Sequence, residues 1–130
     1  TAGRFDGGIY LLGYAAEMHL KVPYFRSVGL GPADPISLGP VRKRAARLGV
    51  SVPLESYHNP EFWCDLLLRL RSSQGRPVSA RVEQQLWEHA SRVYSQWCVD
   101  MRYRGQRATI VEAETLHQSV VWIRDRLPNL

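Results

Sequence analysis

Apolar residues recur along this chain in steps of three and four, the spacing of one face of an α-helix. Between Asp6 and about Val22 two such series run side by side. One is Ile9, Leu12, Ala16 and Leu20; the other is Leu11, Ala15, Met18 and Val22. A helix apolar on nearly every side belongs at the centre of a domain. Asp6 is a suitable N-cap, and Pro23 ends or kinks the segment. Gly13 costs about 1 kcal/mol against alanine in a helix interior, so its presence predicts a close approach by a neighbouring element. Gly29, Gly31, Pro32, Pro35, Gly39 and Pro40 make residues 29–40 a loop. Val41 to Leu48 reads as a short basic helix closed by Gly49, and residues 51–57 as extended or irregular chain.

Asn59-Pro60-Glu61 combines an N-cap, a proline in the first turn and an acid at the helix start. Phe62, Leu66 and Leu70 follow one turn apart, with Trp63, Leu67 and Leu68 beside them, until Ser72, Ser73 and Gly75. Ser79 caps the next helix, whose stripe is Val82, Leu86, Ala90, Val93 and Trp97. A bend spans Cys98 to Gly105. Thr109 and Glu112 form a capping box for a last helix with Ala113, Leu116, Val120 and Leu127 on one face and Pro128 at its end. No strand pattern or internal repeat occurs. The fold class is therefore all-α: an antiparallel up-and-down bundle of four main helices plus one short helix.

Composition narrows the function classes. With 130 residues, 45% apolar and 22% charged, the chain fits one globular domain over residues 1–130 rather than a disordered segment. Two cysteines, Cys64 and Cys98, cannot build a disulfide framework or a four-cysteine zinc site, and no metal site or cofactor is expected. No apolar run reaches the roughly 18 residues of a membrane span, so no membrane partner is expected. Thr1 to Asp6 lacks the basic and apolar regions of a signal peptide. A cytoplasmic location is the expectation.

The net charge is +5, and fifteen of the seventeen basic residues are arginine. Residues 1–50 carry seven basic against three acidic residues, and residues 51–130 carry ten against nine. The local source is Arg42, Lys43, Arg44 and Arg47, a candidate phosphate or nucleic-acid patch. The competing reading is a solvated helix face. The patch is expected to be exposed.

The stretch from Gly3 to Lys21, with Tyr10, Gly13-Tyr14-Ala15, Glu17 and Leu20-Lys21 at helical spacing, resembles the first-helix signature of HEPN domains (higher eukaryotes and prokaryotes nucleotide-binding). Trp97 with Arg102-Tyr103 is similar to a second element of that family, and Val121-Trp122-Ile123 resembles its final helix; residues 22–57 have no counterpart. The resemblance implies a helical bundle, often a homodimer, with RNA-linked roles. These include toxin ribonucleases of toxin–antitoxin systems and partners of minimal nucleotidyltransferases. The function expected from it is a non-catalytic module that binds RNA, a nucleotide or a partner protein. The alternatives are a ribonuclease whose site has diverged or is completed across a dimer, and an accessory chain to a nucleotidyltransferase.

Ribonuclease members of that family carry an arginine followed by four to six residues and a histidine. None of His19, His58, His89 and His117 has such an arginine. Arg81, eight positions before His89, falls about 80° away around a helix. His89 and Arg92, three apart, share a face. No catalytic residue is assigned; His89, Arg92 and Arg81 are the weak candidates, and no phosphate loop or nucleophile elbow accompanies them. The absent motif points away from an enzyme.

Glu17 and Lys21 are polar positions on an otherwise apolar helix. A buried carboxylate needs a partner. Lys21 is one turn away, and Arg102 is preferred for its bidentate geometry. Glu17, Lys21, Arg102 and Tyr103 form the expected buried polar cluster, either an internal ion pair or a ligand site.

Overall fold

The computed structural model describes residues 2–31, 33–52, 57–97 and 109–129. Its elements are α1 (Ala2–Ser27), α2 (Leu38–Leu48), α3 (Pro60–Ser73), α4 (Ala80–Val93) and α5 (Ile110–Arg126), followed by a 3-10 turn at Leu127–Asn129. Among the described residues every regular element is helical. Four long helices form a ring in which α1 packs on α3 and α5, and α4 packs on the same two. The short connection 74–79 returns the chain alongside α3. Helix α2 lies outside the ring, against α3.

Helix boundaries follow local chemistry. The Asn59 side chain accepts from the amides of Glu61 and Phe62 at 2.9 and 3.3 Å. Ser79 Oγ accepts from the Val82 amide at 3.2 Å. Thr109 and Glu112 close the reciprocal box at 3.2 and 3.3 Å. Each satisfies amides that the helix itself leaves without acceptors. Gly49 ends α2 at φ 75°, a conformation that favours glycine; the Val50 amide then donates to the Ala45 carbonyl at 2.9 Å. Arg69 adds a bond from its guanidinium to the Leu48 carbonyl at 3.2 Å, a cation at the negative end of α2.

Helix α1 departs from the sequence reading in two ways. It starts at Ala2 rather than after an Asp6 cap, and it runs through Pro23 to Ser27. Pro23 lacks an N–H, so the His19 carbonyl loses its helical donor. The turn beyond it carries Tyr24 and Phe25, which are buried against Trp63 at centroid distances of 5.6 and 5.7 Å. Burial of those rings offsets the missing bond. Nor is α1 apolar toward the core on every side. Ala16, Leu20 and Tyr24 are fully inside, whereas Leu11, Met18 and Val22 are exposed. Of the first apolar series Ala16 and Leu20 face the bundle, and of the second Leu11, Met18 and Val22 face out while Ala15 packs against the core. Helix α2 also begins earlier than the sequence suggests, at Leu38, and takes in Pro40 within its first turn, where a proline removes no internal bond.

The core joins Leu20 and Tyr24 of α1 to Trp63, Leu66 and Leu67 of α3, Leu86, Ala90 and Val93 of α4, and Leu116 and Ile123 of α5. Trp97, on a wider turn that continues α4, is buried as well. Its ring lies where a side chain at Gly13 would stand: a Cβ there would come within 2.2 Å of it. The glycine therefore admits an indole, not a neighbouring helix backbone.

Candidate functional site

Two polar clusters sit inside this apolar frame, one on each side of the bundle. The first surrounds Glu17, whose side chain is 1% exposed. Its Oε1 pairs with Lys21 Nζ one turn along α1. His58 Nδ1, immediately before the Asn59 cap of α3, lies 2.7 Å from Oε1 and 3.0 Å from Oε2. A carboxylate can only accept, so the histidine donates its Nδ1–H. Tyr14 meets the His58 ring edge-on at 5.9 Å and the Trp97 ring at 5.1 Å. Lys21 Nζ stands 5.1 Å from the centre of a Trp63 ring, within cation–π range. The expected burial of Glu17 and its pairing with Lys21 are both present. Arg102 and Tyr103, the other members expected there, lie outside the described residues. His58 was not anticipated. Its only sequence signal is its place beside the Asn59 cap, which fixes it at the end of α3 that meets α1.

The second cluster lies between α4 and α5. Ser119 is fully buried, with His89 Nδ1 at 3.0 Å and an Arg92 guanidinium nitrogen at 3.1 Å from its Oγ. Arginine can only donate, so Oγ accepts from Arg92; toward His89 Nδ1 the hydroxyl donates in one ring tautomer and accepts in the other. His89 is partly buried at this seam. Burial, and then the adjacent Arg92 cation, push its pKa below the ordinary histidine value, against an opposing pull from Glu88. Its ring stacks on Trp122 with centroids 4.5 Å apart, and Arg126 lies 5.6 Å from that indole. The structure thus joins His89 and Arg92 through Ser119, a residue the sequence reading passed over. Arg81 is exposed on the first turn of α4 and makes no hydrogen bond to either.

The basic patch lies on α2. Arg42, Lys43 and Arg47 are exposed, while Val41 and Ala45 turn inward. Arg44 is half-buried rather than exposed, because its guanidinium reaches back to the Tyr24 hydroxyl at 3.4 Å. Arg42 Nε donates to the Tyr57 hydroxyl at 3.2 Å, which raises the arginine's pKa further. None of the four makes an ion pair with an acidic side chain among the described residues.

Cys64 is buried, and desolvation pushes its thiol well above the ordinary value, so it is inert rather than nucleophilic. Among the described residues no three His, Cys, Asp or Glu side chains group as metal ligands, and no helix is long and apolar enough to cross a membrane. No family model, curated protein or solved structure matches this chain.

Proposed function

We propose that this chain is a HEPN-like helical module that acts by binding rather than catalysis, with RNA held through the phosphate backbone on the outer face of α2. The observation that carries the reading is the uncompensated charge there: Arg42, Lys43 and Arg47 project from an eleven-residue helix that contains no acid. Guanidinium groups suit phosphate oxygens. The two internal clusters support the same reading by being consumed in structure, since the Glu17 carboxylate is closed by two cationic or donor groups and Ser119 is closed by two more. The homodimer and the nucleotidyltransferase partner that the resemblance implies are compatible assemblies for such a module.

The test is fluorescence anisotropy of a labelled single-stranded RNA across a salt series. Charge reversal of Arg42, Lys43 and Arg47 together should weaken binding and flatten the slope of log K against log salt by about 2, the effect of three lost phosphate contacts. An unchanged slope would show these residues to be a solvated face. The ribonuclease alternative draws on His89, its pKa lowered by burial, beside Arg92, and cleavage of the same RNA, abolished in His89→Gln, would establish it in place of pure binding.

A further inference from the structure

Exposed large apolar side chains are concentrated on this molecule. Of those described, Met18, Val22, Ile36 and Leu38 all border one pocket. It lies between the C-terminal half of α1, the chain that follows it and the first residue of α2. Its volume is about 420 Å³, and Phe25 and Trp63, both buried, form part of its wall. Large apolar side chains left in water around a concavity mark an interaction site. A volume of this size is that of small-molecule sites, roughly 300–1,000 Å³.

The polar groups at the rim have a direction. Arg26, in the last turn of α1, is exposed, and its guanidinium has no hydrogen-bond or acidic partner among the described residues. Lys21 gives one bond to Glu17 and has further N–H donors. Asp34, the carboxylate in the wall, already accepts the Gly31 amide at 2.6 Å. The rim therefore offers charged donors above an apolar and aromatic interior. Asp34 offers a cationic ligand a single negative charge, whereas an anionic head would meet the guanidinium of Arg26 and the remaining N–H donors of Lys21.

We propose that this pocket binds a small amphipathic anion, with an unbranched or flat apolar body along Met18, Val22 and Ile36 and one carboxylate or sulfonate head between Arg26 and Lys21. The site is separate from the phosphate-binding face of α2 and does not depend on it. A small ligand fits a concavity of about 420 Å³ bordered by these side chains.

Decanoate, decanol and anilinonaphthalene sulfonate are the probes, titrated calorimetrically and by dye fluorescence below their micellar range. Decanoate should bind saturably, one per chain, and displace the dye. Arg26→Ala should weaken decanoate by about fivefold, the size of one partly exposed ion pair, and leave decanol unchanged. Val22→Glu, at an exposed position that does not disturb the core, should remove binding of all three while leaving thermal unfolding unaltered. Absence of saturable binding would overturn the proposal, as would binding undiminished in Val22→Glu. Equal response of decanoate and decanol to Arg26→Ala would overturn the head-group assignment. A dimer seen by light scattering, split by Val22→Glu and indifferent to decanoate, would assign the pocket to a second copy instead. The α2 charge-reversal variant serves as a control, since it should bind decanoate normally whatever its RNA affinity.

Discussion

The Glu17 cluster and the Ser119 cluster solve the same problem with different chemistry. Each places a polar side chain with essentially no exposure inside a helix–helix seam, and each closes it with a histidine and a second donor. At the α1–α3 seam the buried group is a charge. It needs cationic or donor groups on both sides, because an unpaired ion in a low-dielectric interior is far more costly than an unpaired hydroxyl. At the α4–α5 seam the buried group is neutral, and its partners, His89 and Arg92, reach the surface where water can replace it. Lys21 and His58 are partly exposed as well, so the seams differ in the charge at their centre rather than in access to water.

The comparison is broken most directly at Glu17. Glu17→Ala removes the carboxylate that pairs with Lys21 beside Trp63 and that accepts from His58 Nδ1. The expected loss is about 3 kcal/mol, the lower end for breaking a buried pair. Denaturant unfolding of Glu17→Ala, Lys21→Met and the double variant measures it. The double variant should lose much less than the two singles together, since the residues share one interaction. Additive losses would show that Glu17 is held chiefly by something other than Lys21.

Legibility in the sequence divides along the same line. Periodicity located the four long helices, and cap chemistry at Asn59, Ser79 and Thr109 located three of their starts, because both signals are local. The passage of α1 through Pro23 was not legible, since it depends on burying Tyr24 and Phe25 against Trp63, a residue some forty positions away. That Glu17 is buried and paired with Lys21 could be read from one helix. That His58 joins it could not, because the two lie forty-one positions apart. The sorting of the two apolar series of α1 was equally hidden. Leu12, Ala16 and Leu20 and the outward Leu11, Met18 and Val22 have the same residue types, and only the placement of α3 and α5 separates them. For the same reason Ser119 escaped notice: a serine on a helix reads as solvent-facing until α4 is set against it.

Ser119→Ala sharpens the contrast at the second seam. It removes the hydroxyl that bridges His89 and Arg92, but both partners can turn to water. The expected loss is about 1 kcal/mol, the net worth of an ordinary hydrogen-bond arrangement, and so about a third of the Glu17→Ala effect. Denaturant unfolding under the same conditions gives the ratio directly. A loss equal to that of Glu17→Ala would mean that the two seams are not different in kind.

The smallest effect expected is one of pH, and it arises at the same seam. His89 is partly buried and faces the Arg92 cation, so its folded-state pKa lies below the unfolded value. The unfolded chain therefore binds a proton more readily than the folded one between those two values. Stability rises with pH wherever the unfolded state holds more protons. The contribution of His89 is thus present in full above the ordinary histidine value of about 6.5 and is lost as pH falls through the lowered folded pKa. His89→Gln keeps a polar side chain that does not titrate. Its melting temperature should fall less steeply than that of the wild-type chain as pH is lowered from 7 to 5, while carboxylate titration at still lower pH remains common to both. Parallel melting curves for the wild-type chain and His89→Gln over this range would show that protonating His89 does not disturb the seam.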